Sequence, residues 1–223
     1  MKTIHPQLIS FLSELQKNNN REWFQTNKKL FDELRKDSKA LFEELQQEMN
    51  THDTIESMKF FRIYKDVRFS KDKRPYKTNF GCSFQRATAA LRGGYYVHIE
   101  PNASFLAIGF WMPNKEDLNR VRQEIDIDAE HLKKAINSKS FKSVWGEFKG
   151  ESLKSAPRGF DKEHPEIELL RLKNYVFMKD MSDAEVSSKS FVNDVNSAFK
   201  AARPFMDVMS EILTTDLNGE SIL

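Results

Sequence analysis

The sequence predicts an α+β domain: an antiparallel sheet flanked by N-terminal and C-terminal helices. Three observations predict it. Apolar residues recur at helical spacing before residue 50 and again after residue 113. Between them lie short runs that alternate or are continuously apolar, separated by Gly, Pro, Asn and Ser turns. The strands therefore cluster instead of alternating with helices, which argues against parallel βαβ units.

The elements follow in order. Leu8, Phe11, Leu12 and Leu15 sit one helical turn apart and predict a short amphipathic helix over 7–16. "KNNN" ends it, because asparagine favours caps and tolerates left-handed backbone. Asn19 then reads as an N-cap, with Glu22 three residues on in capping-box position. A long helix is expected from there to about Met49, its stripe carrying Trp23, Asn27, Leu30, Phe31, Leu34, Leu41, Phe42 and Leu45. Asp37 and Ser38 interrupt the stripe and predict a kink. Trp23 reads as a packing residue.

In "RIYKDVRF", Phe61, Ile63, Val67 and Phe69 alternate with Arg62, Tyr64, Asp66 and Arg68. Helical spacing also fits, but the aromatic and β-branched content favours a strand running into a loop near Ser70. Pro75 forbids an uninterrupted helix. "TNFGCSF" places Phe80, Cys82 and Phe84 on one side, which makes Cys82 an inward, inert thiol. "GGYYVHIE" and "FLAIGFW", joined by "PNAS", read as a hairpin whose second strand is apolar on both faces. Asn114 and Asp128 are expected to cap two further helices. "HPEIELLRL" reads as a short helix, "NYVFMKD" as a last strand, and Ser182 as the cap of a helical tail broken at Pro204. "FKSVWGEFKGESLKSAP" has no decisive pattern.

The totals narrow the class. The chain has 223 residues, enough for a core without staples, and its one cysteine allows no internal disulfide, so a cytoplasmic location is expected. No apolar run approaches a membrane span, and the N-terminus lacks a signal-peptide apolar region. No repeat or linker divides the chain, so residues 1–223 are read as one domain. Nothing in the sequence specifies an oligomeric state.

Net charge is only +2, but it is unevenly placed. From Lys59 to Lys77 stand eight cations (Lys59, Arg62, Lys65, Arg68, Lys71, Lys73, Arg74, Lys77) against Asp66 and Asp72. Local charge of this density steers an anionic partner even when the total is small. Arginines suit planar oxyanions and lysines add a mobile field.

Three stretches, "NNNREWFQTNKKLF", "RIYKDVRFSKDKRPYKTNF" and "APRGFDKEHPEIELLRLK", come in an order and spacing that resemble a widespread bacterial family of conserved hypothetical proteins, a domain of unknown function. The resemblance covers about residues 5–215 and implies a single domain, with no activity attached. Lys65 stands where the family pattern has arginine, which removes a planar fork from that position.

The candidate site is therefore the basic strand and loop, binding a small phosphorylated or carboxylated ligand. Arg62 and Arg68 would hold the anion and Asp66 would orient them. Lys71, Lys73 and Lys77 would close over it, and Tyr76 would stack. If the protein is an enzyme, His98 or His164 is the proton carrier. His98 and Glu100 share a strand face at i and i+2, but two ligands make no metal site, and no nucleotide or cofactor motif is present. The "DKEHPE" around His164 also reads as a plain helix start. Two other readings use the same cations: a nucleic-acid-binding module with interleaved aromatics, and a structural or partner-docking protein whose cations are neutralised by its own acids.

Overall fold

The computed structural model describes residues 2–223. Five strands form one sheet in the order β1-β2-β3-β4-β5, every neighbouring pair antiparallel. They are β1 (Ile55–Phe60), β2 (Phe80–Arg86), β3 (Gly94–Ile99), β4 (Ser104–Phe110) and β5 (Tyr175–Met181). Before the sheet come α1 (Leu8–Lys17), α2 (Arg21–Thr26) and α3 (Lys28–Met49). Between β4 and β5 lie α4 (Lys115–Ile127), α5 (Glu130–Asn137), α6 (Lys139–Trp145) and α7 (Ile167–Leu170). After β5 follow α8 (Asp183–Val186), α9 (Phe191–Ala201) and α10 (Arg203–Thr214). The fold is an α+β single domain. Among the described residues no helix is long and apolar enough to cross a membrane.

One sheet face makes the core. Phe80, Cys82, Phe84, Tyr95, Val97, Ile99, Leu106, Ile108 and Phe177 alternate inward and are buried. The stripe of α3 (Phe31, Leu34, Leu41, Phe42, Leu45, Met49) and the apolar sides of α9 and α10 cover them. A charged pair, Arg86 with Asp53, lies in this core. Arg86 is 0% exposed at its side chain and bonds Asp53 (2.8 Å), Ser210 Oγ (2.9 Å), the Met206 carbonyl (3.0 Å) and Asp207 (2.5 Å). Asp53 also accepts from Tyr95 (2.6 Å), so the network ties β2 and β3 to the last helix.

Several expectations are corrected. The N-cap of α2 is Asn20, whose side chain accepts from the Trp23 amide (2.9 Å). Asn19 is drawn away: its side chain exchanges two hydrogen bonds with the Tyr76 backbone (3.0 and 3.1 Å). The long helix breaks at Asn27, not at Asp37 and Ser38, because Asn27 Nδ2 donates to the Trp23 carbonyl (2.8 Å) and closes α2. Ser38 is buried within an unbroken α3. The expected strand over 61–69 is irregular, and the edge strand is the preceding segment, Ile55–Phe60. A register shift between Ile55 and Ser57 spoils the alternation that would have disclosed it.

Candidate functional site

Beyond Phe60 and Phe80 the chains of β1 and β2 run on as a loose arm. The Phe61 amide donates to Gly81 O (2.9 Å), Lys77 to Ile63 O (2.7 Å) and Lys65 to Pro75 O (2.9 Å). Regular pairing stops there because Pro75 has no N–H to return. At the tip, Asp66 accepts from the Arg68 amide (3.2 Å) and Asp72 from the Arg74 amide (3.0 Å), turns that compete with a ladder.

The same two carboxylates pair with three of the tip's cations, Lys65, Arg68 and Arg74. Arg68 grips Asp66 through Nε (3.0 Å) and Nη2 (2.6 Å). Arg74 and Lys65 share Asp72 (2.8 Å each). These partners hold both aspartates below the ordinary carboxyl range: Arg68 first for Asp66, Arg74 and then Lys65 for Asp72. Lys73 donates to the Val67 carbonyl (3.0 Å). The sequence carried a signal for this arrangement, since each aspartate stands two residues before an arginine. Tyr76 is buried at 3% and stacked on Phe24 (4.0 Å between centroids), so it is a core residue with no face for a ligand.

Among the described residues Lys59, Arg62, Lys71, Lys73 and Lys77 make no ion pair. Lys59 Nζ and Lys77 Nζ each stand 5.3 Å from the Phe61 ring centre. Burial, then Arg62, then Lys59, push the Lys77 ammonium below its ordinary range. Lys77 is thus a partly desolvated cation repelled by two others, the environment a bound anion would relieve.

Lys77 also lines a cleft of about 640 Å³ on the sheet face opposite the core. The floor is made of small residues, Ser83, Gly94, Ala107 and Gly109, contributed by β2, β3 and β4. Phe61, Tyr96, Phe105, Trp111 and Met178 rise around it. Antiparallel sheets commonly present a polar second face to water. This one is apolar over its middle, so "FLAIGFW" is apolar on both sides because one side lines the cleft. That double-sided pattern was the sequence signal for the cleft, whereas Phe61, Asn79, Tyr96 and Trp111 gave none.

A chain of polar groups adjoins the cleft wall. His98 Nδ1 is 3.1 Å from the Tyr96 hydroxyl and 3.4 Å from Asn79 Nδ2. Its Nε2 is 3.0 Å from Glu100 Oε2, and its ring stacks on Phe105 (4.5 Å). Glu100 Oε1 accepts from Thr78 (2.6 Å) and Gln16 (3.3 Å). Burial pushes Glu100 up, but the bonds from Thr78 and His98 outweigh it and hold the carboxyl below its ordinary range. No third His, Cys, Asp or Glu joins the pair among the described residues. His164 lies apart: Nδ1 accepts from the Glu166 amide (3.0 Å) and Nε2 is 3.6 Å from Asp126, which fastens the turn before α7 to α4. The structure therefore brings Lys77 and His98 to the cleft region, and Arg62 lies close enough to disturb Lys77 without lining the cleft. It leaves Arg68, Lys71 and Lys73 on the arm and His164 on another side.

The model of one family, described as conserved hypothetical protein (DUF2461), matches residues 7–208 of the chain. No curated protein and no solved structure matches it.

Proposed function

We propose that this chain, which belongs to the conserved hypothetical family DUF2461, binds a small anionic molecule with a flat apolar body in the open-face cleft. The observation that carries this reading is Lys77, an unpaired and partly desolvated ammonium in the wall of a largely apolar cavity of drug-like size. Phe61, Phe105 and Trp111 supply ring faces for the body. Lys77 takes the carboxylate or phosphate, with Arg62 and Lys59 adding field from the rim. Arg68, Lys73 and Tyr76 have no part in it, because each is already engaged within the protein.

Aromatic carboxylates and aryl phosphates, screened by thermal shift and followed by calorimetry, test the reading. A charge-assisted hydrogen bond is worth about 1.5–3 kcal/mol, so Lys77→Met should weaken binding at least ~10-fold. Arg68→Ala, which removes a solvent-exposed pair, should change it less than ~3-fold. The reverse ranking would move the ligand to the arm. An arm-dependent affinity for oligonucleotides, falling steeply with salt, would favour the nucleic-acid reading instead.

A further inference from the structure

We propose that Tyr96 is a catalytic proton carrier in this cleft, backed by His98 and Glu100 as a relay, and that its substrate is a 2-oxo acid with an aromatic side chain. The proposal rests on the cleft reading above and adds chemistry to it.

The direction of the relay follows from the hydrogen bonds. An ionised Glu100 only accepts, so the proton on His98 sits on Nε2. Nδ1 is then a lone pair, and it faces the Tyr96 O–H. Tyr96 is thus the donor, its oxygen retaining lone pairs, and its ring lines the cleft. The positioning is firm. His98 is clamped by Phe105 and Glu100, and Glu100 by Thr78 and Gln16. Gly81 leaves the room the phenol oxygen occupies, since a Cβ there would collide with it. A merely structural tyrosine needs one partner; this one heads a fixed series that ends in a carboxylate.

The substrate class follows from the remaining wall groups. Lys77 suits a carboxylate and the rings suit an aryl group. The Ser83 hydroxyl makes no hydrogen bond among the described residues and lines the same cavity, where it can donate to a carbonyl oxygen. A carbon between an aryl group and a carbonyl carries an acidic C–H. In the step, that C–H bond breaks and its proton goes to Tyr96 O, while the phenolic proton passes to His98 Nδ1. The electron pair stays on the substrate as an enolate, beside Ser83 and Lys77. The imidazolium stands between Tyr96 and Glu100. Return of a proton to the carbon or to the enolate oxygen restores the protein, and nothing is oxidised or reduced.

Phenylpyruvate in D₂O is the probe, with benzylic exchange read by proton NMR and binding by calorimetry. Wild type should accelerate exchange, and Tyr96→Phe should lose about 100-fold of it or more, the usual worth of one acid–base group. Glu100→Gln should lower the turnover of exchange while leaving Kd near wild type, a split that a packing role would not produce. Nitrogen-15 shifts should show His98 protonated at Nε2 and bare at Nδ1. Binding without accelerated exchange, or a proton on Nδ1 of the neutral ring, overturns the relay and leaves the cleft reading standing. Absence of binding overturns the cleft reading and this one with it.

Discussion

Gly81→Ala separates the polar chain from the fold. The Gly81 backbone lies outside the left-handed region, so alanine meets no conformational penalty there. Its Cβ would nevertheless lie well under 3.0 Å from the Tyr96 hydroxyl oxygen, 3.1 Å from Cζ and 3.3 Å from Cε2. Ordinary contact requires the oxygen to retreat by about 1 Å. The Tyr96–His98 bond, already 3.1 Å long, does not survive that shift. Losing it costs about 0.5–1.5 kcal/mol, and replacing glycine within a strand returns about 0.5–1 kcal/mol. The net change in unfolding free energy is therefore expected to be less than ~1 kcal/mol, because the atom that yields is the end of a rotatable side chain. Gly109→Ala is the contrast. There φ is +111°, and the added Cβ collides with the Tyr175 backbone carbonyl, so the β4–β5 ladder must give. Backbone strain of about 1–3 kcal/mol and the disturbed ladder add together, and a loss above ~3 kcal/mol is expected. Urea unfolding of both variants, with His98 nitrogen-15 shifts for Gly81→Ala, measures the comparison. Equal destabilisation of the two, or His98 shifts unchanged in Gly81→Ala, would refute the geometry.

Other consequences follow from burial and charge. Arg86→Met leaves Asp53 and the Met206 carbonyl short of a donor. Breaking a buried pair in this way costs about 3–5 kcal/mol, or close to 10 °C in Tm at ~2–4 °C per kcal/mol; a loss under ~1 kcal/mol would show the network to be dispensable. Stability should also fall in acid. Burial raises Asp53, but the Tyr95 bond and the Arg86 charge outweigh it, so Asp53, like Glu100, is held below its ordinary range. The stabilisation is present above the unfolded-state value near ~4 and is lost as pH drops toward the folded-state values. Urea midpoints between pH 6 and 3 should decline, less so in Asp53→Asn, and a flat profile would contradict the assignment. Cys82 is fully buried and burial pushes its thiol up to about 12, so a thiol reagent should label it only at the rate of unfolding. Rapid labelling of the native protein would place it elsewhere.

Much of this molecule was legible from spacing alone. The faces of α1 and α3, the β3–β4 hairpin, the inward Cys82 and the helix cap at Ser182 all express contacts within a few residues or a fixed period. The pairing of Asp66 with Arg68 and Asp72 with Arg74 is equally local, but two carboxylates against eight cations leave the stretch strongly positive. Tertiary structure alone decided what remained over. Lys77 becomes a desolvated cation only because the arm lays it beside Phe61 and over a floor of small residues from three strands. His98 stands between Tyr96 and a fixed Glu100 only because cross-strand packing sets Gly81 beneath the Tyr96 hydroxyl and folding brings Thr78 and Gln16 to Glu100. Periodicity specifies which way a side chain faces. Which distant groups it meets there depends on strand register and on how the helices and the arm pack across the sheet, and neither is encoded within one element.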